Sequence, residues 1–569
     1  MAIITSGKYT VPPEYQSLKP EGISTTLKSI GGHVYVYTLK KVPDQKHPGR
    51  TKSTSDTCIG KIEGGKFIPN SRYIPADGKD QPPKPMSVFD GTSKDYGEYA
   101  VALACSEDIL ERLETVFTIE ESRQIYAAGI IFFVNGHVPA SYIKDVFDQS
   151  ILSTKWPTLP LSENSFHTLL KLLGLHNVRT ELFQQALIDE SSGLTALDGH
   201  VILSCSNLSD MADYGNKYYK YGNKQLNVMM AFDVENNSPL TCKAFDGAVP
   251  DKVEVQEWFE TYHFNPGTTF IADMGFYSEK NIGLFRSNES YFIVPVPDNT
   301  VIAKMMKQSI SFTGSFQYAK TDESGNPTTD TVLYRETTVA ALEEMAQKQE
   351  NEKVEQDFRQ RMEEYERDPD KDKRRMPRIH KAKQISRSDY PNDRVIMCRN
   401  ETMHYKLAAE YYSQIGQDDK HTEEKFRELE PLFGVIVFRL NSDDTPEHEY
   451  VKYKKRWRIE TNYNHIRNDV DFNDLQLEDY YTTQGMSFIM LIEDMVYHHF
   501  MKTLRVAPSA FVSHMSKKEC LQKAAHAKVM SNSDGVWHGS MVTTKVTTLL
   551  QELGVDWEGD LDKLNRKLY

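Results

Sequence analysis

Residues 194–204 read LTALDGHVILS, an apolar run of strand length interrupted by a single acid, Asp198. A carboxylate inside such a run is costly to bury without a partner, so its presence calls for a reason. Working outward, LNVMMAFDV (226–234) and SPLTCKAFDG (238–247) read as two further strands. VPDKVEVQEWFETYH (249–263) carries apolar residues at helical spacing, and GTTFIADMGF (267–276) reads as a fourth strand ending at Asp273. SEKNIGLFRS (278–287) then reads as a helix and YFIVPVP (291–297) as a strand. The order strand, strand, strand, helix, strand predicts an α/β domain built on a mixed sheet flanked by helices. Asp210, Asp213 and Asp233 compete for the role of first acid; Asp198 ranks above them because it sits within the apolar pattern.

The sheet pattern returns at FGVIVFRLN (433–441), directly before KYKKRWRIETNYNHIR (452–467). On one helix, Tyr453, Arg456, Glu460 and Arg467 would share an arc of roughly 60°. Such a stripe of one hydroxyl, two guanidinium groups and one carboxylate can be a solvated face. It can also hold a polyanion with the arginines and a cation with the acid. Trp457 and Asn464 fall close to the same stripe, with Trp457 read as a core residue. His498 and His499, adjacent on an apolar helix, read as structural residues and not as metal ligands.

Composition sets the outer bounds. The chain has 569 residues and a net charge of −14, enough for three or four domains. The charge is unevenly spread. Nine Lys/Arg stand against three acids from Lys28 to Arg72, eight against one from Lys371 to Arg387, and six against one from Lys452 to Arg467. Basic stripes on an acidic body suit phosphate-backbone binding, because local potential matters more than the total. Lys454, Lys455, Arg374, Arg375 and Arg378 are the candidate phosphate contacts in the last two stripes. Six cysteines lack any C-x-x-C pair and read as reduced thiols. There is no glycine-rich phosphate loop, no apolar run of membrane length, and no signal-peptide pattern at MAIITSGKYTVPPEY, which predicts a cytoplasmic chain.

Residues 190–300 and 430–500 resemble the bacterial insertion-sequence transposases of the DDE class, in the family-four branch defined by a Y-R-E-K signature. That signature, Y-x2-R-x3-E-x6-K, stands here as Tyr453, Arg456, Glu460 and Arg467, with Arg in place of the final Lys. The second-Asp motif stands as FIADMGFYSEKNI, giving Asp273. The first-Asp region stands as LDGHVILS followed by GNKYYKYGNKQLNVMMAFDVENNSPL, giving Asp198. The resemblance implies a ribonuclease-H-like core with Asp198, Asp273 and Glu460 as catalytic metal ligands for two Mg²⁺ (or Mn²⁺) ions. Tyr453, Arg456 and Arg467 would contact phosphates near the cleaved end. It further implies double-stranded DNA as partner, both terminal inverted repeats and target, and a homodimer in the DNA complex near the bacterial nucleoid. The activity would be strand cleavage followed by joining of 3′-hydroxyl ends. Relatives hold a flipped base on an inserted Trp, which residues 300–430 lack, leaving Tyr318, Tyr334 or Phe312 to stack instead. The alternatives are an inactive DNA-binding derivative of a transposase and a metal-dependent nuclease that cuts without joining.

The domain reading that follows places a basic β-rich DNA-binding segment at 1–80 and a helical DNA-binding or dimerisation domain at 81–185. The catalytic core spans 186–300 and 431–480. It is interrupted at 301–430 by an insertion with a β hairpin (SFTGSFQYAK to TDTVLYRE), a charged helix near 338–368, the basic run and an irregular polar region. Residues 481–569 read as a C-terminal helical region.

Overall fold

The structure is a computed structural model. It describes residues 4–566 apart from 6–7, 10, 12, 31, 45–49, 71, 74–91, 205, 207–208, 216–221, 250, 309, 322–325, 369, 469–473, 476 and 532–534. The boundary read at 80/81, most of the HPGR turn at 47–50 and most of GNKYYKYG at 215–222 therefore lie outside the described residues. The chain forms two compact units, Met1–Gly91 and Thr92–Tyr569. In the first, strands Thr25–Ile30, His33–Pro43, Thr51–Glu63 and Lys66–Pro69 form an antiparallel meander. Its small core is Val34 and Val36, alternating on one long strand, with Ile59 and Ile62 on the other, where an irregularity in the register leaves Ile59 unpaired.

The second unit is organised by one mixed sheet. Its strands are β1 (Leu194–Ser204), β2 (Lys224–Asp233), β3 (Ser238–Asp246), β4 (Thr269–Ala272), β5 (Tyr291–Pro295), β6 (Gly314–Thr321), β7 (Pro327–Thr338), β8 (Arg394–Asn400) and β9 (Val435–Leu440). They lie in the order β3-β2-β1-β4-β5-β9-β8-β7-β6, and the short strand Asp474–Leu475 pairs with the end of β1. Strands β1 to β3 are an antiparallel meander, β4 is parallel to β1 and to β5, and β9 turns back antiparallel to β5.

Two readings change here. The stretch 301–430 supplies β6, β7 and β8 to this same sheet. The segment read as irregular contains β8, RVIMCRN, whose Val395, Ile396, Met397 and Cys398 are all buried. The C-terminal region is also not wholly helical: Lys528–Ser531 pairs with Trp537–Gly539 and with Thr92–Asp95.

The charged helix α1 (Val339–Arg367) buries only residues of its first two turns. Chain from the basic run returns along it. His380 lies 3.2 Å from Arg361, Gln347 donates to the Lys383 carbonyl at 3.1 Å, and the Ser388 N–H donates to Glu343 at 2.7 Å. The return ends in a buried polar knot. Arg439 on β9, wholly buried, donates to Asp393 (2.8 Å), Ser388 (2.6 Å), Glu279 (2.5 Å) and the Tyr277 hydroxyl oxygen (3.3 Å). Arg286 reaches the other oxygen of Asp393. A guanidinium can be buried only when its N–H groups are spent on acceptors, and here they are.

Helix α4 (Tyr480–Arg505) follows α2 (Pro446–Lys454) and α3 (Trp457–Asn468) and is apolar around most of its circumference. It packs against helices Gly97–Glu114, Ile119–Asn135 and Glu163–Leu175 and against β3. Where it crosses Glu163–Leu175, glycines meet backbone. A Cβ on Gly485 would lie 2.1 Å from the Leu170 carbonyl oxygen, and one on Gly174 would lie 2.1 Å from that of Tyr481.

Replacing Arg439 with Met leaves the Asp393 carboxylate buried with half its partners. The expected loss is about 3–5 kcal/mol of stability, read as a lower denaturation midpoint. A midpoint within error of wild type would contradict this account of the knot.

Candidate active site

The register of β1 and β4 sets the position of two acids. Ala272 pairs with Leu197 in parallel, and the next residue on each strand is Asp273 and Asp198. Asp198 still pairs with Met230 on its other side, so its backbone is fixed from both neighbours. Asp273 leaves its strand as the N-cap of the short helix Met274–Phe276, its carboxylate accepting the Met274 N–H at 2.6 Å. Both residues thus stand at the same end of adjacent strands.

The third acid arrives on a different path from the one the spacing suggests. Residues 452–467 are not one helix: α2 ends at Lys454, Lys455 and Arg456 form a turn, and α3 begins at Trp457. The four signature residues therefore do not share a helical stripe. Three of them meet all the same. Arg456 bonds Glu460, and its other terminal nitrogen lies 3.7 Å from Asp198. Its guanidinium sits 5.9 Å from the Tyr453 ring, which is buried against Phe438 at 4.5 Å. Arg467 lies on the exposed part of α3 near its end.

Electrostatics records the same convergence. Burial pushes the Asp198 carboxyl up to about 7; Arg456 and the Gly199 N–H oppose the rise, while the charges of Asp273 and Glu460 add to it. Burial also raises the Tyr453 hydroxyl, again with Asp273 and Glu460 adding and Arg456 opposing. One cation therefore sits among three acids and one phenol.

Two of the competing acids are occupied elsewhere. Asp233 is buried and accepts from the Ser192 N–H (2.7 Å) and hydroxyl (2.6 Å), and from Asn236 Nδ2 (2.8 Å), which makes it a turn residue. Asp213 accepts the Tyr214 N–H at 2.7 Å. Trp457 is 57 % exposed and not a core residue, because the turn at 455–456 rotates it outward; Asn464 is exposed too. Lys454 lies 5.2 Å above the Tyr450 ring with its ammonium pKa lowered by burial, and Lys455 pairs with Glu235. Arg374, Arg375 and Arg378 are all exposed, and Arg374 pairs with Asp368 at 2.9 Å. Tyr318 packs on Tyr450 at 5.4 Å, Tyr334 lies 6.0 Å from Phe316, and Phe312 lies under Arg399 at 4.8 Å, so these aromatics already have partners.

Several residues that hold the site were not read from the sequence. The Tyr463 hydroxyl donates to the backbone carbonyl of Asp198 at 2.8 Å, joining α3 to β1. Asn462 donates to Asp494 at 2.7 Å and lies 2.7 Å from His498, and His465 lies 3.0 Å from Glu493. His498 is structural, as read; His499 pairs with Asp108 at 3.1 Å. Glu493 and Asp494 stand in an apolar helix, the same signal that marked Asp198.

As a cation site the donors are of the right kind, three hard carboxylates, one of them raised chiefly by burial with the charges of the other two adding to it. Among the described residues, however, no three acids stand close enough together to enclose an ion. Glu460 is turned onto Arg456, and cation binding requires that side chain to move.

The family described as Transposase DDE domain matches residues 190–492, more than half of the chain, and the protein belongs to that family. It is a DDE transposase. No curated protein matches the chain. Among solved structures it has a distant likeness to the piggyBac transposase, determined by cryo-electron microscopy in a synaptic complex with hairpin DNA. The identity is 11 %, 83 % of this chain and 87 % of that chain are covered, and the TM-score is 0.34. No helix among the described residues is long and apolar enough to cross a membrane.

A carboxyl whose native pKa lies above its unfolded value, near 4, holds extra protons in the folded state between about pH 4 and about 7. The metal-free protein should therefore lose stability as pH rises through that window. Asp198→Asn should abolish this loss, so its melting temperature should gain on wild type between pH 5 and pH 8 in the presence of chelator. Parallel curves would show that burial of Asp198 carries no such penalty.

Proposed function

We propose that this transposase binds terminal inverted repeats, cleaves DNA strands and joins the freed 3′-hydroxyl ends to target DNA by two-metal-ion phosphoryl transfer. The observation that carries the reading is the single guanidinium of Arg456 placed on both Glu460 and Asp198, with Asp273 next in register to Asp198. The five strands β3-β2-β1-β4-β5, three antiparallel and two parallel to β1, support a ribonuclease-H-like core interrupted by the insertion at 301–430. Tyr453, Arg456 and Glu460 in one cluster support the Y-R-E-K branch of bacterial insertion sequences.

Asp198, Asp273 and Glu460 are the residues that would hold two Mg²⁺ (or Mn²⁺) ions. Such a pair supplies Lewis-acid stabilisation of the attacking and leaving oxygens in an in-line displacement. The chain's own groups do the rest. Asp198, with its raised pKa, yields its proton when a cation competes for the carboxylate. Arg456 presents a planar fork, suited to a phosphate once Glu460 is withdrawn, and Arg467 adds a second fixed charge from the exposed part of the helix. Tyr453, buried on Phe438, holds its hydroxyl beside Arg456 and offers it to the same phosphate. Positioning of this kind supplies much of the rate in phosphoryl transfer. Lys454, Lys455, Arg374, Arg375 and Arg378 contribute phosphate contacts farther along the duplex. The N-terminal unit and the helices up to about residue 185 grip the element end, and two copies act on paired ends.

Purified protein, Mg²⁺ and labelled inverted-repeat DNA form the test. Cleavage and strand joining are expected. Asp198→Asn, Asp273→Asn and Glu460→Gln should each abolish both while DNA affinity stays within about twofold. Cleavage without joining would indicate a nuclease, and binding without cleavage an inactive derivative. Wild-type rates in all three variants would remove the site assignment.

A further inference from the structure

The N-terminal unit contains a projection that its own core does not require. Strands His33–Pro43 and Thr51–Glu63 pair with each other almost throughout, but their outer neighbours stop short. Thr25–Ile30 accompanies the first only to Thr38, and Lys66–Pro69 accompanies the second only from Gly60 to Glu63. Past those limits Leu39–Pro43 and Thr51–Ser55 continue as a two-stranded ribbon, in register from Leu39 opposite Ser55 to Pro43 opposite Thr51, its one outer backbone bond among the described residues being the Leu39 N–H donating to the Ser24 carbonyl at 2.9 Å. The Asp44 N–H closes it by donating to the Arg50 carbonyl at 2.8 Å. Five residue pairs at ~3.4 Å each extend it by ~17 Å.

Among the described residues, the core of the unit does not extend under this ribbon. The core residues Val34, Val36, Ile59 and Ile62 all lie at the other end of the same strands. Leu39, Lys40, Lys41, Pro43, Thr51, Lys52 and Ser53 are exposed, and the rest of the ten are half-buried. Lys40, Lys41, Arg50 and Lys52 carry positive charge against the one acid Asp44, and Thr51, Ser53, Thr54 and Ser55 add hydroxyl groups. Alternation along the strands puts Lys41 on one face and Lys40 and Lys52 on the other. An isolated two-stranded hairpin is marginal in water, so a projecting one is a cost to the fold unless it meets a partner. Lysine on an exposed strand can serve only to block edge pairing. That role does not ask for cations on both faces together with a row of hydroxyl groups.

A two-stranded ribbon fits the major groove of B-form DNA, which is ~12 Å wide, whereas the minor groove is half that width. With cations on both faces, such a ribbon meets the phosphates of both groove walls, and short hydroxyl side chains are left for base edges. We propose that the ribbon Leu39–Pro43 with Thr51–Ser55 enters the major groove of the duplex on which this transposase acts. The inference rests on the DNA-joining reading above and deepens it by naming an element that reads the DNA.

The experiment uses the full-length protein and short labelled duplexes, one ending in the inverted repeat and one of scrambled sequence, titrated at several salt concentrations. Wild type is compared with the combined variant Lys40→Ser, Lys41→Ser, Lys52→Ser and with the single variant Lys41→Glu. Melting curves report whether each variant is folded. The combined variant should bind about tenfold or more weakly. Its slope of log affinity against log salt should be smaller by about 2–3, at roughly 0.9 for each phosphate no longer neutralised. Wild type should also shield guanine N7 from dimethyl sulfate, and the combined variant should lose that protection. Should the combined variant unfold, Lys41→Glu carries the test, with the slope smaller by about 1. A folded variant with wild-type affinity and slope, while wild type binds, overturns the ribbon assignment and leaves the transposase reading intact. Displacement of wild type by a minor-groove ligand without N7 protection overturns the groove assignment. Failure of wild type to bind either duplex overturns both readings.

Discussion

Burial of the Asp198 carboxyl, with the charges of Asp273 and Glu460 adding to its cost, is the constraint around which this cluster is arranged, and Arg456 is what opposes it. A guanidinium stays charged at any pH the protein meets, so its attraction does not lapse as the acids ionise. The chain delivers it from a turn between two helices, not from a helix surface. Glu460 follows Arg456 by four residues, the spacing at which side chains meet on a helix, and bonds it. The arginine in turn depends on Tyr453, which is wedged against Phe438 of β9. A continuous series of contacts therefore runs from the sheet through two aromatic rings to the cation and on to the acids.

Helix α3 is held on two further sides. Tyr463 ties it to the backbone of Asp198, and Asn462 and His465 tie it to Asp494 and Glu493 of α4. The two acids of α4 are fully buried, and each holds α3 by one bond while Asp494 also lies 3.5 Å from His498 and Glu493 3.8 Å from Lys517. Breaking one such link removes more than a hydrogen bond, because a buried polar group left without its partner carries the full desolvation penalty. The direction of α3 is thus fixed from within the core, while the Glu460 side chain stays half exposed.

Much of the sheet was legible because β1 to β5 and β9 are short apolar runs set off by turns and polar segments. Asp198 and Asp273 were legible as acids in places where acids are costly. Strand β8 was missed because RVIMCRN lies between the basic run and the polar helix Glu401–Gln414 and carries an arginine near each end, which drown its pattern. The turn at Lys455–Arg456 was invisible because KYKKRWRIE contains neither Gly nor Pro and every residue in it tolerates a helix. Trp457 was misplaced for the same reason: one irregular step rotates every later side chain. Pairings such as Tyr463 with Asp198 join residues far apart in sequence, so no local pattern announces them. Glu493 and Asp494 were readable by the rule applied to Asp198, yet their partners were not.

The knot around Arg439 bears on how far this enzyme could be pared down. A minimal catalytic core made by cutting out residues 301–430 would keep Glu279 and Tyr277 but lose Asp393 and Ser388, two of the groups that neutralise or accept from the buried guanidinium. The excised protein would carry a stranded cation beside the loop that bears Asp273. Any shortened version must therefore trade Arg439 for an apolar residue at the same time, which makes the segment's removal a coupled change and not a simple trim.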